Sequence, residues 1–115
     1  VAYFEDIILE AYVEYPRAKV ILLVGSGIND VDASGEEKVR EVAKRLRDVW
    51  VTLMFSGLKH QVMQVFERSG LVEELRPEVF FTDKETALQT LSERDRTLEV
   101  DPRKMLEGRW APNPA

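Results

Sequence analysis

The sequence predicts an α/β fold in which a small, mainly parallel sheet packs with helices. Val20–Val24 is a continuous apolar run, and such a run is typical of a parallel strand covered on both faces. Strand-like and amphipathic helical segments alternate along the chain, and short loops between them imply right-handed parallel crossovers. The length of 115 residues suits one domain with one hydrophobic core.

The individual elements follow from apolar spacing and from turn residues. Helical spacing predicts helices over residues 3–12, 35–48 and 59–69, with a last helix after Thr82. The predicted strands are residues 19–24, 51–56 and 79–81. Three short strands make a thin sheet, so we expect the N-terminal strands of the fold to be missing before Val1, or pairing to come from a neighbouring chain.

The end of the chain differs in composition from the rest. From Glu93 onward the residues are largely charged, and Pro112 and Pro114 follow. We therefore predict a domain over residues 1–92 and a charged, proline-containing tail over 93–115 with little core of its own. Three apolar residues could still dock this tail: Met105, Leu106 and Trp110.

Composition excludes several classes of function. The formal net charge is −5 and there is no basic cluster, which argues against binding to nucleic acid or to an anionic membrane surface. The absence of cysteine removes disulfides, thiolate metal sites and thiol nucleophiles. The apolar runs are too short to span a bilayer and no signal peptide opens the chain, so we expect it to be soluble as an isolated domain.

The turn after the first predicted strand is the best candidate for a functional site. Gly25-Ser26-Gly27 resembles the start of a dinucleotide-binding loop, but Asp30 stands where the third glycine belongs and would repel a pyrophosphate. The acidic and hydroxyl residues of 30–35, together with Glu41, have the spacing of a calcium-binding EF-hand loop. An EF-hand loop follows a helix, however, whereas a strand precedes this loop, so an ordinary acidic turn is favoured. No metal or cofactor is predicted.

Ser34 has three interpretations that the sequence leaves open. With Glu37 it matches a capping box, which predicts that Ser34 caps the second helix, and Thr82 with Glu85 repeats this signal. Ser34 could instead accept a phosphate, which the helix dipole favours and the neighbouring acidic residues oppose. The weakest interpretation is a nucleophile, because the only histidine, His60, is expected at the surface of another helix.

Three motifs resemble one known family, the STAS (sulfate transporter and anti-sigma factor antagonist) domain. They are Asp32-Ala33-Ser34-Gly35, Ser56-Gly57-Leu58-Lys59 and Glu67-Arg68-Ser69-Gly70-Leu71, and the resemblance covers residues 2–91. Within the family the pattern is most similar to the cytoplasmic C-terminal domain of SulP-type (sulfate permease family) anion transporters. Free-standing anti-sigma factor antagonists are the alternative.

The resemblance implies a regulatory, protein-interaction domain that is not an enzyme and needs no cofactor. Its partners would be the membrane domain of the parent transporter, a cytosolic regulatory protein or a second copy of the chain, on the cytoplasmic side of the inner membrane. Nucleotide binding has been proposed for the family, but the acidic turn gives it no support. The interaction loop comprises Asn29, Asp30, Asp32, Ser34 and Gly35, and Ser34 occupies the phosphoacceptor position of the antagonists. Ala33 stands where antagonists usually carry a second hydroxyl residue, which favours the transporter branch.

Overall fold

The computed structural model describes residues 2–91, 97–101 and 111–112. Its helices are α1 (Ala2–Glu14), α2 (Ala33–Asp48), α3 (His60–Arg68), α4 (Leu71–Leu75) and α5 (Lys84–Leu91). Its strands are β1 (Val20–Val24), β2 (Thr52–Ser56), β3 (Phe80–Phe81), β4 (Thr97–Val100) and β5 (Ala111–Pro112). A 3₁₀ turn, Pro77–Val79, leads into β3.

The strands form one sheet in the order β3-β2-β1-β4-β5. Four of them are parallel, and only β5 runs antiparallel, beside β4 at the edge. The predicted α/β class and mainly parallel sheet are therefore confirmed. In a parallel sheet all strands end at the same edge, so the loops after β1, β2 and β3 lie together at one end of the molecule.

The strand β1 is central and every one of its residues is buried. It pairs in parallel with β2 on one side and with β4 on the other. An aromatic cluster covers the β2 side, where the Phe55 ring stacks on Phe80 with centroids 4.8 Å apart and meets Phe66 edge-on at 6.1 Å. Aromatic pairs in these geometries stabilise a core beyond the area they bury.

Helix α2 contacts both α1 and α4 beside the sheet. Ion pairs join α1 to α2, because Glu5 lies 2.6 Å from Arg45 and 3.4 Å from Lys38. The chain from β3 to β4 passes back across the sheet, so a right-handed crossover places α5 on the opposite face from α2 and α3. The sheet is therefore covered on both faces, as the apolar run in β1 predicts.

The strand β4 was missed by the sequence analysis, which expected little core beyond Glu93. Leu98 and Val100 are fully buried and Asp101 is nearly so. A four-residue strand carries too little pattern to stand out in a charged segment, and its position is set by the open edge of β1. The chain itself fills that edge, so the three-strand sheet that we expected is wrong. The boundary at residue 92 stays a prediction, and Met105, Leu106 and Trp110 lie outside the described residues.

Two other local predictions differ from the structure. Gly70 ends α3 as predicted, with a left-handed φ of +84° that glycine adopts without strain, but a further short helix, α4, follows at once. The third strand begins at Phe80 instead of Val79, because Pro77 starts a 3₁₀ turn that includes Val79. Within the described residues, no helix combines the length and the apolar character needed to cross a bilayer.

Replacing Leu98 with alanine tests whether β4 belongs to the core. The side chain is fully buried, so Leu98→Ala should lower the free energy of unfolding by about 3 kcal/mol. Val13→Ala is the control, because Val13 is 75 % exposed and should change stability by less than about 0.5 kcal/mol. Urea unfolding followed by circular dichroism measures both, and equal stability of the two variants would contradict the assignment.

Candidate functional site

The candidate site is the segment that links β1 to α2, at the edge where the parallel strands end. It begins against the sheet, where the Gly25 amide donates to the Ser56 carbonyl at 2.8 Å. A side chain at Gly25 would overlap Leu58, so the absence of a Cβ there allows the two loops to pack. The Ile28 amide then donates to the Gly25 carbonyl, which closes the glycine-containing turn. The start of this loop is thus fixed to the sheet.

Asn29 is held by the beginning of α3. The ammonium group of Lys59 donates to the Asn29 side-chain oxygen, and the Gln61 amide donates to the Asn29 carbonyl at 3.0 Å. Asn29 and Asp30 are exposed beyond this attachment. The structure thus places the end of the Ser-Gly-Leu-Lys motif against the loop that leads into the Asp-Ala-Ser-Gly motif.

Asp32, and not Ser34, caps α2. The helix begins at Ala33, and the Asp32 carboxylate accepts a hydrogen bond from the Gly35 amide at 2.7 Å. The Glu36 amide donates to the Asp32 carbonyl. The predicted capping box is therefore wrong by two residues, because an ionised carboxylate is a strong acceptor for the amides at the positive end of a helix.

At the start of α5, too, an aspartate caps the helix in place of the predicted hydroxyl residue. The sequence predicts Thr82 as the cap, but the Asp83 carboxylate accepts from the Thr86 amide at 2.6 Å. This hydrogen bond lowers the pKa of Asp83. In both places a hydroxyl residue satisfied the sequence pattern, and a neighbouring aspartate made the contact.

Ser34 lies in the first turn of α2 with its side chain exposed. Because it does not cap the helix, its hydroxyl is accessible from solvent. Across the described residues, no hydrogen bond joins it to His60, which is exposed at the start of α3. In the described part of the chain Ser34 is thus not paired with the histidine, whereas a phosphate at this position would face the positive end of α2.

Arg40 neutralises much of the acidic charge that follows Ser34. Its guanidinium binds Glu36 through two nitrogens, binds Glu37 at 2.6 Å, and reaches across to Glu74 of α4 at 2.9 Å. The side chains of Arg40 and Glu36 are only 14 % and 8 % exposed, so this pair is screened little by solvent. Arg40 therefore joins α2 to α4, and its four-residue spacing from Glu36 is the sequence signal for such an ion pair.

The ion pairs also set the protonation of this cluster. Burial raises the pKa of Glu36, but the hydrogen bonds and the charge of Arg40 outweigh burial and lower it overall. The pKa of Arg40 is raised, chiefly by its hydrogen bond with Glu36. Lys44 and then Arg40 lower the pKa of Glu74. Glu36 and Glu74 are therefore ionised at neutral pH, and the cluster binds α2 to α4.

The alternative ligand sites in this loop find no support. Glu41, the last residue of the EF-hand spacing, lies within α2 and pairs with Lys38 at 3.1 Å. Across the described residues, no group of three or more acidic or histidine side chains is arranged to hold a metal ion. Asp30 and Asp32 lie beside the turn that a dinucleotide phosphate would approach, and they would repel it.

Removing the two candidate caps separately tests the start of α2. Asp32→Ala should cost about 1 kcal/mol of stability, because the Gly35 amide loses its acceptor. Ser34→Ala should change stability by less than about 0.5 kcal/mol, because Ser34 is exposed. Urea unfolding measures the stability of both variants. A larger loss for Ser34→Ala than for Asp32→Ala would contradict Asp32 as the cap and favour the capping box.

The Arg40 cluster should make folding sensitive to acid. A carboxyl group whose pKa is lowered on folding stabilises the fold above its ordinary pKa of 4.5, and this contribution is lost as pH falls through the folded value. Arg40→Met should cost about 2 kcal/mol at neutral pH, and should flatten the loss of stability below about pH 4.5.

Arg45→Met is the matched control for Arg40→Met. Arg45 is 56 % exposed and pairs with Glu5, so its loss should cost less than about 0.5 kcal/mol and leave the acid profile unchanged. Chemical denaturation at a series of pH values measures both variants. The role given to Arg40 would be wrong if the two profiles coincide.

Comparison with known families identifies the fold. The profile of the STAS domain matches residues 1–87, which is most of the chain and spans α1 through the first half of α5. A search of curated proteins found no match. The matched region includes the loop after β1, the contacts of this loop with α3, and the strands β1, β2 and β3. The chain therefore belongs to the STAS domain family.

Proposed function

We propose that this chain is the cytoplasmic regulatory domain of a bacterial sulfate permease family anion transporter, and that the segment 29–35 is its contact surface. The observation that carries the proposal is an exposed polar loop on a fixed base. Lys59 and Gln61 hold one end of this loop at Asn29, and Asp32 fixes the other end at the start of α2. A preorganised loop loses little conformational entropy on binding a partner.

The chemistry of the loop favours recognition over catalysis. Its exposed groups are two carboxylates, an amide and a hydroxyl, which suit hydrogen bonding and charge pairing with a partner. Family membership supports a regulatory role, and we propose that the domain is not an enzyme and needs no cofactor. Its partners would be the membrane domain of the parent transporter, a cytosolic regulatory protein or a second copy of the domain.

The alternative is a free-standing anti-sigma factor antagonist with Ser34 as its phosphoacceptor. A specific observation favours it: Ser34 is exposed at the positive end of α2, and Arg40 pairs with both Glu36 and Glu37. Of the four acidic residues that would oppose a phosphate, Asp30 and Asp32 are the two without an ion pair in the described part of the chain. Phosphorylation would add up to two negative charges to a loop that otherwise works by shape and fixed acidity.

An antibody against this domain separates the two proposals in native cells. A transporter domain predicts a signal in the membrane fraction, at an apparent mass well above the 13.2 kDa of this chain. A free-standing antagonist predicts a soluble species that is absent from the membrane fraction. Phosphosite mapping of the same material, purified under phosphatase inhibition, would show whether Ser34 carries phosphate.

The loop's role in transport is tested in the full-length parent protein. We expect Asp30→Lys to reduce the rate of sulfate uptake several-fold without lowering the amount of transporter in the membrane, because it reverses the charge of the contact surface. Glu67→Lys is the matched control, since Glu67 is equally exposed but lies on α3. Normal uptake by the Asp30 variant would contradict the proposal.

A further inference from the structure

A cleft of about 440 Å³ lies at the end of the domain opposite the loop 29–35. It is bounded by the C-terminal half of α2, the beginning of β2, the end of α4 and the 3₁₀ turn before β3. Its floor consists of five buried apolar residues: Ala43, Val51, Leu53, Leu75 and Val79. An apolar floor open to solvent is the usual basis of a binding cleft.

The sheet leaves an open edge in this cleft. β3 pairs with β2 only through Phe55 and Ser56, so the residues Thr52–Met54 have no strand beside them on that side. Thr52 itself is exposed. An unpaired stretch of strand can in general pair with an added extended segment, which is a recurring mode of peptide recognition; here the 3₁₀ turn contacts β2, and Thr52 is the exposed residue of the stretch.

Two arginines at the rim have no ion-pair partner within the described residues. They are Arg47 of α2 and Arg76, which precedes the 3₁₀ turn, and both are exposed. Two carboxylates also line the cleft, but Glu74 is already paired with Arg40 and Lys44. Glu78 therefore offsets only one of the two free positive charges. The rim favours an acidic group in the ligand.

Backbone strain is concentrated beside this cleft. Within the described residues, Trp50 and Arg76 are the non-glycine residues with positive φ, at +65° and +86°. Arg76 lines the cleft, and Trp50 immediately precedes Val51 of its floor with 90 % of its surface exposed. Strained residues cluster at functional sites, and an exposed tryptophan is a frequent anchor at protein interfaces.

We propose that this cleft binds an extended peptide segment of a partner protein, with an apolar side chain on the floor and an acidic side chain paired with Arg47 and Arg76. The proposal rests on the cleft alone and holds whether the loop at the other end regulates a transporter or a sigma factor.

Titration with a fluorescein-labelled peptide tests the proposal. The probe is a short peptide in which leucine alternates with glutamate, and its counterpart alternates leucine with lysine. We expect saturable binding of the acidic peptide, measured by fluorescence anisotropy, and no saturable binding of the basic one. Replacing both arginines, as Arg47→Gln with Arg76→Gln, should weaken binding by at least about tenfold.

Three single variants make the result specific. Arg68→Gln, an exposed arginine on α3, and Ser34→Ala, in the loop, should both leave the affinity unchanged. Arg76→Gly removes a guanidinium and relieves the positive φ, so it should raise the urea midpoint while it weakens binding. Equal affinity for both peptides, no binding of the acidic peptide, or undiminished binding by the double variant would overturn the proposal.

Discussion

The fold depends on a single constraint, which is that β1 must be paired on both edges. Every residue of β1 is buried, so its backbone amides and carbonyls have no access to water and need partners in the sheet. β2 supplies one edge and β4 supplies the other, in matching parallel register from Val20. The position of β4 follows from this need, although its own sequence predicts a solvated tail. The sheet in turn fixes the end at which the loop 29–35 emerges.

The charges of α2 are arranged so that its first turn is both stable and accessible. Asp32 supplies the cap from outside the helix, which leaves the Ser34 side chain exposed. Arg40, one turn further on, pairs with Glu36 and Glu37 and anchors the helix to Glu74 of α4. The acidic residues near Ser34 therefore divide into Glu36 and Glu37, which Arg40 pairs, and Asp30 and Asp32, which give the loop its surface charge, while Asp32 also caps the helix.

The sequence was sufficient for the features that depend on long periodic patterns. The buried run of β1, the amphipathic α2 and α3, and the placement of the polar loop were all predicted within a residue or two. It failed where tertiary context decides the outcome. β4 is short and is defined by the edge it fills, and α4 is only one turn and a half long. At both helix starts an aspartate close to the predicted hydroxyl residue supplies the cap, and the spacing pattern alone does not rank two such candidates. The cleft was missed since it combines residues from four separate segments.

The two proposed surfaces lie at opposite ends of α2, and this separation limits how one could influence the other. Thirteen residues from Ser34 to Arg47 correspond to about 20 Å along a helix, which exceeds the Debye length of about 8 Å at physiological ionic strength. A phosphate on Ser34 would therefore change the electrostatic potential at the cleft very little. Coupling between the loop and the cleft would require α2 to move as a rigid body. The ion pair between Arg40 and Glu74 opposes this movement, because it joins the middle of α2 to α4. The physical arrangement thus favours two independent contacts on one rigid domain, so that a partner held in the cleft would stay bound while the loop is modified.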